Sequence, residues 1–477
     1  MKKYSSLKEI QTLISQKQLT LPDLLAYYFK QIENNEHLNA FNEVFFLSAE
    51  VQAKAVQQKI ENGTAGKLAG MVIGIKDNIC YEGHVVTASS KMLEGFVSPY
   101  SSTVVQRLLQ EDAVIIGRLN CDEFAMGGSN ETSYFGPVKN AANPALVPGG
   151  SSGGSAVAVQ ADMCLSALGT DTGGSVRQPA AFCGQIGLKP TYGRISRYGV
   201  IAYASSFDQV GPITSSVEDA ALLLKVLAGV DDYDSTVSPL AVPDYPVQLN
   251  EQKKHKIAVL EETIESEALD SEIKSAILQS IEQLKAEGHT VEYVSFDLLD
   301  YLVPAYYILT TAEASSNLSR YDGVHYGHRN MDAKSLNELY KLSRAEGFGE
   351  EVKRRILLGT FVLSAGYYDA YYQKAQQVRR LIREKMDLLF QDYDLVLSPV
   401  APTAAFKIGD HLQDALVMYM ADIFTVLPSL SGNPAIALPI GNNEAGLPLS
   451  IQFTAKHFEE DKLLAFSQAF LSSFYRH

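Results

Sequence analysis

The chain has 477 residues, 46% of them apolar and 20% charged, and a formal net charge of −15. Apolar content close to the globular average excludes a disordered chain and allows a large buried core. The acidic balance argues against nucleic acid as a direct, high-affinity ligand, while leaving room for a local basic patch or a basic partner.

Residues 1–6 hold no apolar signal region, and no run of about 18 apolar residues occurs, so the reading is a soluble, cytoplasmic chain with no membrane association. Ser6-Leu7-Lys8-Glu9 is a capping box, after which Leu7, Ile10, Leu13 and Ile14 recur at helical spacing. Two more helices are predicted over 22–34 and 49–61. The character changes at Gly70. Residues 71–75 are a strand-type run that ends on Lys76-Asp77-Asn78, and 114–117 are another. From Asn140 to Gly211 the chain is dense in Gly, Ser, Thr and Pro yet keeps apolar runs such as 164–168, the composition of loops around a site.

Ser215-Ser216-Val217-Glu218 is a second capping box, opening a helix through Leu224, and 231–248 read as a surface crossing. A β-α-β pattern follows: a strand at 257–260, a helix with Ile273, Ile277, Ile281 and Leu284 on one face, and a strand at 290–294. That alternation argues for an α/β sheet with helices on its faces. Residues 298–389 are helical and tyrosine-rich, 395–397 are a strand, 419–426 a helix or loop, and 459–475 a last amphipathic helix. No repeat or clean boundary interrupts this, so one continuous domain over 1–477 is expected. Cys80, Cys121, Cys164 and Cys183 form no C-x-x-C pair and no histidine cluster adjoins them, which predicts reduced, buried thiols and no metal site.

Three motifs could carry catalysis. Gly149-Gly150-Ser151-Ser152-Gly153 satisfies G-x-S-x-G, but 143–148 are a poor strand and Gly154 broadens the turn, unlike a hydrolase nucleophile elbow. No Gly-Lys-Ser/Thr follows it, against a phosphate-cradling loop. Asp171-Thr172-Gly173 matches the aspartic-protease tripeptide, but that chemistry needs a second carboxylate copy, which the chain lacks. The third is the wider string 169–179. Its glycines precede Ser175 and leave backbone N–H groups uncovered, as an oxyanion site requires. No histidine lies nearby in sequence, so a lysine at a strand end becomes a candidate base.

Taken in order, Ile75-Lys76-Asp77-Asn78, Gly149-Gly150-Ser151-Ser152-Gly153-Gly154-Ser155 and Gly169-Thr170-Asp171-Thr172-Gly173-Gly174-Ser175 resemble the amidase-signature family. The spacing fits as well: 75 residues from Lys76 to Ser151 (151 − 76) and 24 from Ser151 to Ser175 (175 − 151). The resemblance runs across essentially the whole chain. It implies an α/β fold with a large, mixed, mostly parallel twisted sheet covered by helices on both faces. Within it, a catalytic core would span about 70–212, and a helical, substrate-covering region about 298–390. It also implies Ser175 as nucleophile, Ser151 as proton relay after a cis peptide bond, Lys76 as base, and an oxyanion hole from the N–H groups of Thr172, Gly173, Gly174 and Ser175. Lys76 must be neutral to accept a proton, so burial must depress it from the ordinary value near 10.4. Arg177 is assigned to structure, paired with a carboxylate such as Asp171.

The segments 120–127, 192–199, 204–212 and 371–376 look like the branch of glutaminase subunits in tRNA-dependent amidotransferases. That likeness implies hydrolysis of glutamine, with ammonia handed to partners, the B and C subunits of a heterotrimer, that amidate Glu-tRNA(Gln) or Asp-tRNA(Asn). The tRNA would be held mainly by the B partner. ATP and magnesium would act in that partner, so no cofactor is expected in this chain. A zwitterionic substrate wants a cation and an anion in its pocket. The matching residues are Tyr306, with Tyr307 adjoining, Arg355 and Asp422. Ser431, Asn433 and Ser450 depart from the usual pattern. A stand-alone amidase for another small or hydrophobic amide is the alternative, and a catalytically silent scaffold a third reading.

Overall fold

In the computed structural model, residues 3–245, 253–410 and 415–474 are described. Met1, Lys2, the end of the predicted crossing at 246–248 and Tyr475 lie outside them. The strands are β1 (Phe41–Val44), β2 (Val72–Lys76), β3 (Val114–Leu119), β4 (Ser166–Asp171), β5 (Ile186–Lys189), β6 (Gln209–Thr214), β7 (Lys256–Leu260), β8 (Thr290–Val294), β9 (Leu395–Pro399), β10 (Ala435–Asn442) and β11 (Pro448–Ala455). They form a single 11-stranded sheet in the order β1-β3-β2-β4-β6-β5-β10-β11-β9-β7-β8.

The expected mixed α/β sheet is present, but a parallel majority is not. Among the described residues six of the ten neighbouring pairs are antiparallel. The reason lies in the connections. Parallel neighbours need long crossovers, usually helical, and these occur around β2 with β3 and β4, and around β7 with β8 and β9. Between those two blocks sit β6, β5 and the β10–β11 hairpin, which run antiparallel to their neighbours.

Alternation on the strands shows both faces covered. Ile257 and Val259 of β7 and Leu395 and Leu397 of β9 join one apolar cluster. Ala258, Leu260 and Val396 join another, with Leu309, Val352, Ile382 and Met386 from helices of the 298–390 region. Those helices are Leu302–Asn317, Leu336–Gly347, Glu350–Val362 and Lys374–Asp392. Helix starts follow local chemistry. Ser6 accepts from Glu9 N to open Leu7–Ser15, and Pro22 sits in the first turn of Leu21–Asn34. Ser216, not Ser215, caps Val217–Leu227, with its partner at Asp219. Gly288, in the left-handed region at φ 90°, follows the helix Ser271–Ala286. All four cysteines are buried and unpaired. No described helix is long and apolar enough to cross a membrane.

Candidate active site

Three adjacent strand and loop ends converge at the middle of the sheet. β2 delivers Lys76 at its last residue, fully buried. The glycine loop before the helix Gly153–Gln160 delivers Ser151, and the loop after β4 delivers Ser175. Lys76 Nζ donates to Ser151 Oγ at 2.7 Å, to Ser152 Oγ at 2.9 Å and to Thr170 Oγ1 at 3.0 Å. Burial pushes the ammonium down to about 8, against Cys121, Asp122, Asp208 and Asp171, which pull it up.

The Gly150–Ser151 peptide bond is cis. Room for that loop is tight: a Cβ on Gly150 would stand 2.2 Å from Asp122 Oδ2. Asp122 N donates to Ser151 O, and Ser152 N to Ser175 O, both at 3.1 Å, so the two serine loops are stitched backbone to backbone. Ser151 is fully buried, whereas Ser175 retains 8% exposure. Among the described residues no hydrogen bond joins Ser151 Oγ to Ser175 Oγ. Such contacts are commonly loose before substrate binds.

The N–H groups of Gly173, Gly174 and Ser175 bond no acceptor among the described residues. Gly174 stands at φ 144°, and a Cβ there would lie 2.3 Å from Thr425 Oγ1, so glycine is required. Thr172 Oγ1 donates to Asp208 Oδ1 at 2.6 Å. Successive uncovered N–H groups make an anion-binding concavity. Beneath them Arg177 clamps Asp171 with Nε at 2.9 Å and Nη2 at 2.8 Å, as the sequence suggests. The same guanidinium bonds Thr425 O, Ser429 Oγ and Gln452 Oε1, tying this loop to two distant segments. The arrangement offers a buried base, an intervening hydroxyl, an accessible hydroxyl and free N–H donors, the set that acyl transfer from an amide needs.

The residues 23–464 match the amidase family. The chain belongs to it. Its relatives include the A subunit of the glutamyl-tRNA(Gln) amidotransferase of Prosthecochloris aestuarii, 47% identical over 469 residues and 98% of each chain. The A subunit of the same name from Staphylococcus saprophyticus is 46% identical over 480 residues, 100% of this chain and 98% of that one. Among solved structures, the glutamyl-tRNA(Gln) amidotransferase A subunit of Thermotoga maritima superposes with a TM-score of 0.77 at 38% identity, over 94% of this chain and 93% of that one. The peptide amidase of Stenotrophomonas maltophilia superposes with a TM-score of 0.84 at 27% identity, over 98% and 97%.

In this amidase the other three predicted residues gather beside the glycine loop. A Cβ on Gly173 would lie 2.4 Å from the Tyr306 phenol, so that ring packs against the Gly173 Cα of the glycine loop. Tyr307 OH donates to Asp422 Oδ2 at 2.9 Å. Adjacent helical positions point about 100° apart, so the Tyr306-Tyr307 pair serves two places, the glycine loop and Asp422. Arg355 is buried, donates to Glu351 Oε1 and Tyr203 OH at 2.8 Å each, and lies over the rings of Tyr203, Tyr307 and Tyr419 at 5.4 to 5.5 Å. Burial pushes the Asp422 carboxyl up to about 7, against the Tyr307 hydrogen bond and Arg355, which pull it down.

Sequence reasoning missed Ser152 and Thr170, which share the Lys76 ammonium, and the Tyr203, Glu351 and Tyr419 groups that hold Arg355. Ser152 carried a signal, since a second serine adjoins Ser151. Tyr203 and Tyr419 carried none beyond the abundance of tyrosine. Ser431, Asn433 and Ser450 bond backbone carbonyls, of Leu427, Ala455 and Ala181 respectively, and touch none of the site residues through these bonds.

Proposed function

We propose that this amidase is the glutamine-hydrolysing subunit of a tRNA-dependent amidotransferase, working through Ser175, Ser151 and Lys76. Ser175 Oγ attacks the carboxamide carbon. Its proton passes to Ser151 Oγ while the Ser151 proton passes to neutral Lys76. The oxyanion that forms takes the N–H groups of Thr172, Gly173, Gly174 and Ser175. Collapse breaks the C–N bond, and the proton returns through Ser151 to the leaving nitrogen, which departs as ammonia. Water then cleaves the ester on Ser175 and releases glutamate.

The observation that carries the substrate is the pairing of opposite charges, Arg355 and Asp422, across Tyr307, whose neighbour Tyr306 packs on the loop that carries Ser175. Arg355 would hold the α-carboxylate, Asp422 the α-ammonium, and Tyr306 would pack along the chain between them. The names of the relatives support a subunit of an amidotransferase for glutamyl-tRNA(Gln). The rest belongs to the proposal: a partner takes the ammonia and amidates Glu-tRNA(Gln) or Asp-tRNA(Asn), with ATP and magnesium at its own site and B and C subunits completing the complex. A net charge of −15 fits tRNA held by a partner and not by this chain. The reading places the complex in the cytoplasm.

The test is purification through a tag on this chain from its own cell, followed by assays of ammonia release and of ATP-dependent amidation of charged tRNA. Glutamine hydrolysis that disappears in Ser175→Ala supports the reading. A chain that purifies without partners, or that spares glutamine while cleaving other amides, refutes it in favour of a stand-alone amidase.

A further inference from the structure

The segment 120–125 lies between the catalytic loops and the helix that carries Arg355, and its side chains reach both ways. Asp122 serves the catalytic side. Its N–H bonds Ser151 O, and its carboxylate accepts from Asn130 N at 2.9 Å and Thr132 Oγ1 at 2.7 Å. Glu123, 3% exposed, serves the other. Its Oε2 accepts the Gly349 N–H at 2.8 Å, and its Oε1 accepts from the Ser90 hydroxyl. Gly349 is the N-cap of Glu350–Val362, and no side chain of its own segment caps that helix. Glu123 supplies the missing acceptor from outside, at the end where the helix dipole favours an anion. The fit leaves no slack, because a Cβ on Gly349 would lie 2.3 Å from Glu123 Oε2. Phe124 packs on Phe348 in the same contact, with ring centroids 5.6 Å apart. Arg355 follows Gly349 by six residues, about 9 Å along the axis.

We propose that Glu123 is a positioning residue for substrate recognition, docking the Arg355 helix onto the strand end that also holds Ser151. Consecutive residues thus register the two halves of the site, Asp122 to the serine loop and Glu123 to the arginine helix. The inference rests on the assignment of Arg355 to glutamine. Burial pushes the Glu123 carboxyl up to about 7, against Ser90, the Gly349 N–H and Lys353, so a neutral amide is a fair replacement for it near neutrality.

Steady-state glutaminase kinetics on the native assembly test this. Glu123→Ala is expected to raise KM for glutamine about five- to tenfold while kcat stays within about twofold. Glu123→Gln is expected to return KM to within about twofold, because its amide oxygen can take the place of Oε2 and accept the Gly349 N–H while its NH2 donates to the Ser90 hydroxyl oxygen. An unchanged KM in Glu123→Ala, or equal losses in kcat and kcat/KM, overturns the proposal. Gly349→Ala parts the same pair without touching Glu123, so it decides the matter if Glu123→Ala does not fold. An unchanged KM there overturns the proposal too. Arg355→Ala runs alongside. A flat KM in that variant sinks the glutamine assignment itself, whereas a raised KM beside a flat Glu123→Ala sinks only the role of Glu123.

Discussion

Lys76 offers the sharpest test, because the base function proposed for it depends on one depressed ammonium. An ordinary lysine near 10.5 is neutral to roughly 0.03% at pH 7, and one at about 8 to roughly 9%, about 300-fold more base. Burial supplies the shift; once the ammonium loses a proton, Ser152 and Thr170 can accept the two N–H that remain while the Ser151 hydroxyl turns to the lone pair. The sign follows directly. The active form is deprotonated, so kcat rises with pH, reaches half its plateau near 8 and levels off above roughly 9. Between pH 6 and 8 the neutral fraction climbs roughly 50-fold. Initial rates of ammonia release at saturating glutamine, from pH 6 to 9.5, should trace that single rise. Lys76→Ala should lower kcat at every pH and flatten the profile. A change below about fivefold over that interval, or a midpoint near 6.5 that survives in Lys76→Ala, would place the base on another residue and refute the reasoning.

Ser175→Ala is expected to abolish turnover, by about 10³-fold or more, while leaving glutamine binding measurable by calorimetry. Asp422 is ionised only above about 7, so KM for glutamine should rise about tenfold between pH 8 and pH 6, and Asp422→Asn should raise KM at pH 8 and remove that slope. Gly173→Ala would set a Cβ 2.4 Å from the Tyr306 phenol, and kcat/KM should fall about 10²-fold with little change in the urea midpoint. Arg177→Ala leaves Asp171 buried without its cation, which should cost about 3–5 kcal/mol in urea unfolding.

Much of the fold was legible because period and punctuation agreed. The β7–helix–β8 unit has strand runs, a clean helical face and Gly288 as a stop, and it stands where the sequence places it. β5, β6, β10 and β11 were not legible. β6 (Gln-Val-Gly-Pro-Ile-Thr) and β10 (Ala-Ile-Ala-Leu-Pro-Ile-Gly-Asn) contain both glycine and proline, which read as loop punctuation. Their pairing on both sides overrides that local signal. These four make most of the antiparallel pairs, whereas the expectation of a mostly parallel sheet came with the resemblance to the amidase-signature family.

The three residues proposed as catalytic were legible only as a set. A strand-end lysine is ordinarily solvated, and nothing local to Lys76 says that it is fully buried. What removes it from water is the closing of Ser151, Ser152 and Thr170 around it, from segments about 75 to 94 residues away. The substrate side is less legible for a related reason. Arg355 faces tyrosines from three other segments, Tyr203, Tyr307 and Tyr419, and its local partner among the described residues is Glu351 one turn earlier. Read alone, Glu351–Arg355 is a surface helix pair of small consequence. Burial changes its meaning. A desolvated guanidinium that spends Nε on Glu351 and Nη1 on Tyr203 is fixed in place before any ligand arrives. Fixing it beforehand lowers the ordering cost of binding an α-carboxylate. Tyr203→Phe tests that effect, with Thr310→Val as control, because it keeps the ring under the guanidinium and deletes the bond from Arg355 together with the one the Tyr203 hydroxyl donates to Thr310 Oγ1. Its KM for glutamine should rise about three- to tenfold with kcat nearly unchanged. If KM stays flat, the Tyr203 bond contributes nothing to holding Arg355, and the ring cage alone orients it.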